Sequence, residues 1–259
     1  MKSIVFVKQV PDSTADLVVE NGQVVWGDAP LVINPWDEIA VEAALLQIET
    51  YGGNVTAVSI GKTNETEALK YAMAMGCEEI ILVSDPKLDG ADSQVMAHVM
   101  GAVVKKFEDV KLVFFGRQAI DSETGVTAAQ TARVLGWPIL SLVSAILKMD
   151  MAKGLIIVER STEEGKQIVE AQLPVVMTFG RDFGEPRFPS FIGKRKAARA
   201  DIPVWGLDDL GLQGLSPVVQ WFGVEDVPPE EIEIEMIVGE SIQDIAGRLA
   251  DRIQEARGV

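Results

Sequence analysis

Short apolar runs recur along the first half of the chain, each followed by a polar break and then by apolar residues at helical spacing. Residues 4–7, 54–60, 79–83 and 111–115 have the length and β-rich composition of buried strands. Between them, residues 35–50, 65–75 and 92–107 carry the helical period, the last with Val95, Met96, Val99 and Met100 on one face. Asn34 stands as an N-cap, Pro35 takes the first helical position and acids fill the first turn, while Gly76 closes the second helix. Pro11 and Asp12 break the first strand into a loop, and Asn21-Gly22 between the β-rich runs 17–19 and 23–26 predicts a hairpin. Strands alternating with helices over short loops predict an α/β fold, a doubly wound and mostly parallel sheet of the Rossmann-like kind that binds adenine nucleotides.

The stretch from Lys111 to Pro138 adds chemistry to this pattern. Gly116 turns the fourth strand out of the sheet, and from Ser122 the composition changes to Thr, Glu, Gly and Ala. Val126, Ala129, Ala132 and Leu135 then recur at helical spacing until Gly136 and Pro138 stop them, so a helix is predicted to begin at Ser122. Strand, polar loop and helix start leave free backbone N–H groups and the positive end of a helix dipole at the carboxyl edge of the sheet, where a phosphate is held. An ordinary βα connection has the same order, so the turn alone does not establish a site. In a parallel sheet, however, residues 8–13, 34–37, 59–63 and 116–127 share that edge, and they are the candidate nucleotide-binding segments.

After Pro138 the period falls to about two. Residues 141–147, 154–160, 167–172 and 175–179 are predicted as antiparallel strands extending the sheet. From Gly184, prolines at 186, 189 and 203 interrupt regular structure, and Lys194, Arg195, Lys196 and Arg199 gather positive charge. An acidic run at 228–235 and an amphipathic helix at 241–256, with Ile242, Ile245, Leu249 and Ile253 on one face, complete the chain. The expected division is a nucleotide-binding α/β domain at 1–183 and a C-terminal partner-binding arm with its helix at 184–259.

Charge and rare residues narrow the function classes. The 259 residues include 39 acidic and 23 basic side chains, for a formal charge of −16, which disfavours nucleic acid and anionic membranes as partners. Cys77 and His98 are the only residues of their kinds, too few for a disulfide framework, a Cys/His metal site or a histidine triad. Cys77 reads as a small buried hydrophobe, His98 as a core or boundary residue, and Glu159 and Arg160 as strand-face ion-pair partners. Without a leader-like start or ~18 uninterrupted apolar residues, a cytoplasmic protein with no direct membrane insertion is expected.

Five ordered segments carry a resemblance. Val7-Lys8-Gln9-Val10-Pro11-Asp12, Asn34-Pro35-Trp36-Asp37-Glu38-Ile39-Ala40-Val41-Glu42 and Gly116-Arg117-Gln118-Ala119-Ile120-Asp121 resemble the three nucleotide-edge segments of the electron-transfer flavoprotein β subunits. Residues 158–165, continued by Gln167, Val169 and residues 174–178, are similar to that family's diagnostic signature, and Pro186-Arg187-Phe188-Pro189 to the opening of its partner-recognition arm. The resemblance spans essentially the whole chain.

It implies a heterodimer with an α subunit that holds a redox-active FAD and is wrapped by the C-terminal arm and helix. It also implies a β-subunit pocket for AMP, bound structurally, or, in the electron-bifurcating branch, for a second FAD that receives electrons from NADH. The implied pocket comprises Phe6, Asn34, Pro35, Trp36, Asp37, Ile60, Gly116, Arg117, Gln118, Ala119, Ile120, Asp121, Ser122, Glu123, Thr124, Gly125, Val126 and Thr127. Trp36 falls where the family places an aromatic facing the partner's flavin. Implied partner contacts fall on Arg187, Phe188, Pro189, Phe191, Lys194 and Arg195, toward redox partner dehydrogenases or a quinone reductase. Five positions depart from the family pattern: Val126 replaces a Gln, Glu123 brings negative charge near the phosphate, Ser13 stands where some members have Tyr, and Lys194-Arg195 replace an apolar Ile-Met pair. The expected function is an AMP-binding electron carrier subunit without catalytic residues of its own. The alternative is the bifurcating form. A free-standing adenine-nucleotide-binding regulatory protein is the reading from another class, and the lack of a Walker A lysine loop argues against it.

Overall fold

Along the first strand, Ile4 and Phe6 point to one face of the sheet and Val5 and Val7 to the other, and each pair joins a separate apolar core. This two-sided burial is what a parallel sheet with helices on both faces requires. The computed structural model describes residues 1–15, 18–220, 222–227 and 234–258. Leu17 of the predicted hairpin and residues 228–233 of the acidic run lie outside the described residues.

In chain order, β1 (Lys2–Phe6) is followed by β2 (Gln9–Pro11), the hairpin β3 (Val18–Glu20) and β4 (Gln23–Val25), and β5 (Leu31–Ile33). The βα alternation continues through α1 (Pro35–Tyr51), β6 (Asn54–Ile60), α2 (Glu67–Met75), β7 (Glu79–Val83), α3 (Ser93–Lys105), β8 (Val110–Gly116) and α4 (Thr127–Leu135). The long β9 (Ile139–Asp150), β10 (Leu155–Thr162), β11 (Gly165–Gln172) and β12 (Val175–Phe179) follow, then α5 (Phe191–Ala197), β13 (Val204–Trp205) and α6 (Ile242–Arg257). Nine strands form one sheet in the order β11-β10-β9-β12-β8-β1-β6-β7-β13. The chain divides into two units, Met1–Val224 and Glu225–Val259, and the sheet belongs to the first.

Three predicted elements are corrected. Residues 175–179 do not pair antiparallel: β12 lies parallel to both β8 and β9, and within the nine-stranded sheet the antiparallel pairs are β9–β10 and β10–β11. After β10 and β11 the chain returns to lie between β8 and β9, and all five residues of β12 are buried as an interior parallel strand requires. Residues 9–11, expected in a loop, pair with β5, and Pro11 sits at the end of that ladder, where a missing donor is tolerated. The last βα helix begins at Thr127 rather than Ser122, which leaves 122–126 as loop.

Helix α1 is buried on most sides. Ala40, Ala43 and Ala44 have no exposed surface, and these short side chains let the helix lie close against the sheet. On the same face, α5 packs against α2: Ser190 N–H donates to Ala74 O at 3.3 Å, and Gly193 approaches that carbonyl so closely that no side chain would fit. β13 extends the sheet beyond β7.

Candidate functional site

The carboxyl ends of β1 and β8 meet the start of α1, and three side chains brace them. Asp37 Oδ2 accepts from Lys8 N–H at 2.8 Å and Asp37 Oδ1 from Gly116 N–H at 3.2 Å. Asn34 Nδ2 donates to Gln118 O at 2.8 Å while its Oδ1 accepts from Ile120 N–H at 3.2 Å. Lys8 Nζ pairs with Asp121 at 2.6 Å. Gly116 is obligatory here, because a methyl would collide with Asp37 Oδ1 and come within 2.7 Å of the Trp36 carbonyl carbon. Burial pushes the Asp37 carboxyl up to about 7, against the pull of its N–H donors and of Lys8 toward the ionised form. Asn34 and Asp37, read as ligand contacts in the sequence, therefore have side chains engaged in holding residues 116–121.

Beyond this brace the loop opens outward. Asp121, Ser122, Glu123, Thr124, Gly125 and Val126 are exposed, Thr127 is half-buried, and no side chain caps the N-terminus of α4. The first N–H groups of that helix are free to meet an anion, with the hydroxyls of Thr124 and Thr127 beside them in sequence. Pro35 is exposed at the start of α1; Gln118, Ala119 and Ile120 are half-buried beneath the loop. Phe6 is buried and stacks on Phe115 with ring centres 4.9 Å apart, so its ring serves the core, while Ile60 is half-buried at the end of β6. The donor set fits a nucleotide phosphate, with Glu123 as its one opposing charge.

The sequence pattern of the electron transfer flavoprotein domain matches residues 23–210. The chain belongs to the electron transfer flavoprotein family. It is 31% identical over 260 residues to the electron transfer flavoprotein subunit beta of Clostridium acetobutylicum, covering 97% of this chain and 98% of that one. It is 33% identical to the caffeyl-CoA reductase-Etf complex subunit CarD of Acetobacterium woodii over 98% of both chains. Protein FixA of Azotobacter vinelandii is 37% identical over 85% of this chain and 82% of its own.

Other expected contacts of this electron transfer flavoprotein chain are placed differently from one another. Arg187 is engaged internally: its guanidinium donates to Glu42 at 2.7 and 3.0 Å and to Glu49 at 2.6 and 3.2 Å, and its N–H to Glu42 at 3.1 Å. It fastens the start of the arm to α1. Phe188, Phe191, Lys194 and Arg195 are exposed, and Pro189 is half-buried. Glu159 pairs with Lys166 within the sheet at 2.8 Å, and Arg160 Nε is buried without a hydrogen-bond partner among the described residues. Cys77 is buried, and burial pushes its thiol up to about 12. His98 lines an open cavity of about 330 Å³ with Lys105, Val134 and Leu212, apart from the nucleotide edge. No helix among the described residues is long and apolar enough to cross a membrane.

Two features were not singled out from sequence. Lys8 is a brace residue, a role hidden by the 113 positions between it and Asp121. Arg181 reaches the Trp36 indole, its guanidinium carbon 5.5 Å from the ring centre; Arg117, already among the expected pocket residues, lies 5.9 Å from the same ring centre. The available signal was positional, since both arginines follow a glycine at a strand end.

Proposed function

We propose that this chain is the β-type subunit of a heterodimer whose α-type partner holds FAD, and that it binds the adenylate of AMP or FAD at residues 34–37 and 116–127. The observation that carries the reading is the brace of Asn34, Asp37 and Lys8, which fixes residues 116–121 and leaves the loop 122–126 and the uncapped α4 facing outward. The chain contributes no bond-making side chain. Its residues bind and orient the nucleotide, while the flavin supplies the electron chemistry when bound. The exposed Phe188, Phe191, Lys194 and Arg195 would meet redox partner dehydrogenases or a quinone reductase, and the C-terminal helix would wrap the α-type chain.

Co-production with an α-type chain, followed by extraction of bound nucleotides, tests this. One FAD with one AMP, or two FAD, per heterodimer supports it; a stable monomer carrying ATP overturns it. A second reading draws support from the likeness to a subunit of a caffeyl-CoA reductase-Etf complex: a second FAD fills the pocket and takes electrons from NADH. NADH oxidation tied to reduction of a low-potential acceptor is its test, and two flavins without that activity would sink it.

A further inference from the structure

We propose that the groove between α3, α4 and the turn at residues 207–212 binds a small amphipathic carboxylate, with its aliphatic body on the apolar walls and its charged head at Lys105 and Lys106. The groove is separate from the adenylate pocket. Val134, on its α4 wall, lies seven residues past Thr127, about 10 Å along the helix from the loop 122–126. On α3, His98, Ala102 and Lys105 follow one another at spacings of four and three residues and so share one face. Lys106, which caps α3, completes the rim, and Leu210 and Leu212 close the third side.

The walls are fixed by the fold itself. Gly101 lets α4 come close to α3, because a Cβ there would fall 2.7 Å from Val134 Cγ1, and Thr131 Oγ1 lies 3.7 Å from Met100 Sδ between the same helices. The turn is closed on itself: Leu210 N–H and Leu212 N–H both donate to the carbonyl of the buried Leu207, at 3.2 and 2.9 Å. A groove of about 330 Å³ on such walls falls within the range of preformed ligand sites, about 300–1,000 Å³. At about 30 Å³ for each water-sized atom, it has room for about ten.

The charge of the lining selects an anion. Ala102, Val134, Leu210 and Leu212 are apolar, and the polar side chains among the lining residues are all nitrogen donors, with no carboxylate. In a chain with 39 acidic and 23 basic side chains, this lining runs against the overall composition. Lys105 and Lys106 are exposed, and among the described residues neither makes a side-chain hydrogen bond or an ion pair. Two acids close to them in sequence or across the groove are engaged elsewhere: Asp109 pairs with Lys111 at 3.1 Å, and Asp209 accepts from Gly206 N–H at 2.8 Å. The helix dipole accounts for lysines at the end of α3. It does not account for the donor ring of His98 about two turns earlier, or for leucines lining an open groove. An anion with an aliphatic body answers both, its head meeting the lysines and its body covering the apolar walls. The lysines are point charges, without an arginine fork beside them, which suits a singly charged carboxylate better than a phosphate.

His98 is the only histidine, so its imidazole protons report on the groove without assignment. Proton NMR of the full-length chain at fixed pH tests the proposal, by titration with octanoate, which matches the room for about ten atoms, with 1-octanol and with inorganic phosphate. The expected result is a saturable shift with octanoate at a dissociation constant below about 1 mM, and binding about tenfold weaker for 1-octanol and for phosphate. K105Q/K106Q should bind octanoate as weakly as 1-octanol, and A102L, which puts side-chain atoms into the groove, should bind neither. Thermal melting at the wild-type temperature would show that the substitutions leave the fold intact, and the exposed lysine pair decides the matter even if A102L does not fold. Equal binding of octanoate and 1-octanol by the wild type, phosphate binding as tight as octanoate, or octanoate binding unchanged in K105Q/K106Q overturns the proposal. Calorimetric titration of the complex with an α-type chain should give the same octanoate affinity. Loss of binding there makes this face a protein contact and also overturns the proposal. None of these outcomes bears on the adenylate pocket, whose own test is nucleotide extraction.

Discussion

Asp37 is the acceptor that two backbone N–H groups share, and its loss would leave both without a partner inside the protein. Asp37→Ala is expected to destabilise the fold by about 3 kcal/mol in urea unfolding, and to loosen residues 116–121 together with nucleotide binding. The same carboxyl predicts a pH dependence. Unfolded, it releases its proton near its ordinary value of 3.8; folded, it keeps the proton until about 7. Between those values the unfolded chain binds fewer protons, so this group's contribution is fully present below the lower value and is lost as pH rises through the upper one. Asp37→Asn should therefore unfold with a flatter pH dependence across that window than the wild type, as urea midpoints at several pH values would show. Cys77, whose thiol burial holds at about 12, should stay unreactive toward a thiol reagent until the chain unfolds. At this scale the sequence was legible in part. Asn34 and Asp37 read correctly as the start of a helix, but their partners lie 29 to 86 positions away, and no local pattern reports such a bond.

Elements hold each other through a few close approaches. Arg187 fastens the arm to α1 through two carboxylates, one of them, Glu42, buried. Arg187→Ala strands that carboxylate and should destabilise the fold by about 2 kcal/mol, a value reduced from a fully buried pair because the arginine is one-third exposed. The arm would then gain faster amide exchange at residues 188–197, which hydrogen-exchange mass spectrometry reads directly. Gly116→Ala forces α1 away from β8 and should destabilise by about 3 kcal/mol. Periodicity placed the strands and helices of the first half close to their observed bounds, because apolar runs of strand length alternate there with helical spacing. It failed at the start of α4, where Thr, Gly and Ala suit loop and helix alike, and at β2, whose pairing with β5 depends on a contact across the 19 residues between them.

At the scale of the molecule, residues 1–224 carry the sheet and both apolar cores. Val218 and Val219 N–H groups are tied to Asp92, and Val224 N–H to Gly22 O, so this unit is closed to its end. A chain ending at Val224 should keep a cooperative melt near that of the full chain and lose association with an α-type partner, checked by calorimetry and co-purification. Strand order was the least legible feature. The pattern identifies four strands after Pro138, but nothing in a period of two states which of them returns to the middle of the sheet.

That return governs how the protein is born. β12 fills the gap between β8 and β9, yet β10 and β11 precede it in the chain. Until residues 175–179 leave the ribosome, β8 and β9 each lack their neighbour, and the nascent chain is two partial sheets with unpaired, apolar edges. The five buried residues of β12 act as a closing key, and a chain truncated just before them is expected to pair with other copies through the open edges of β8 and β9.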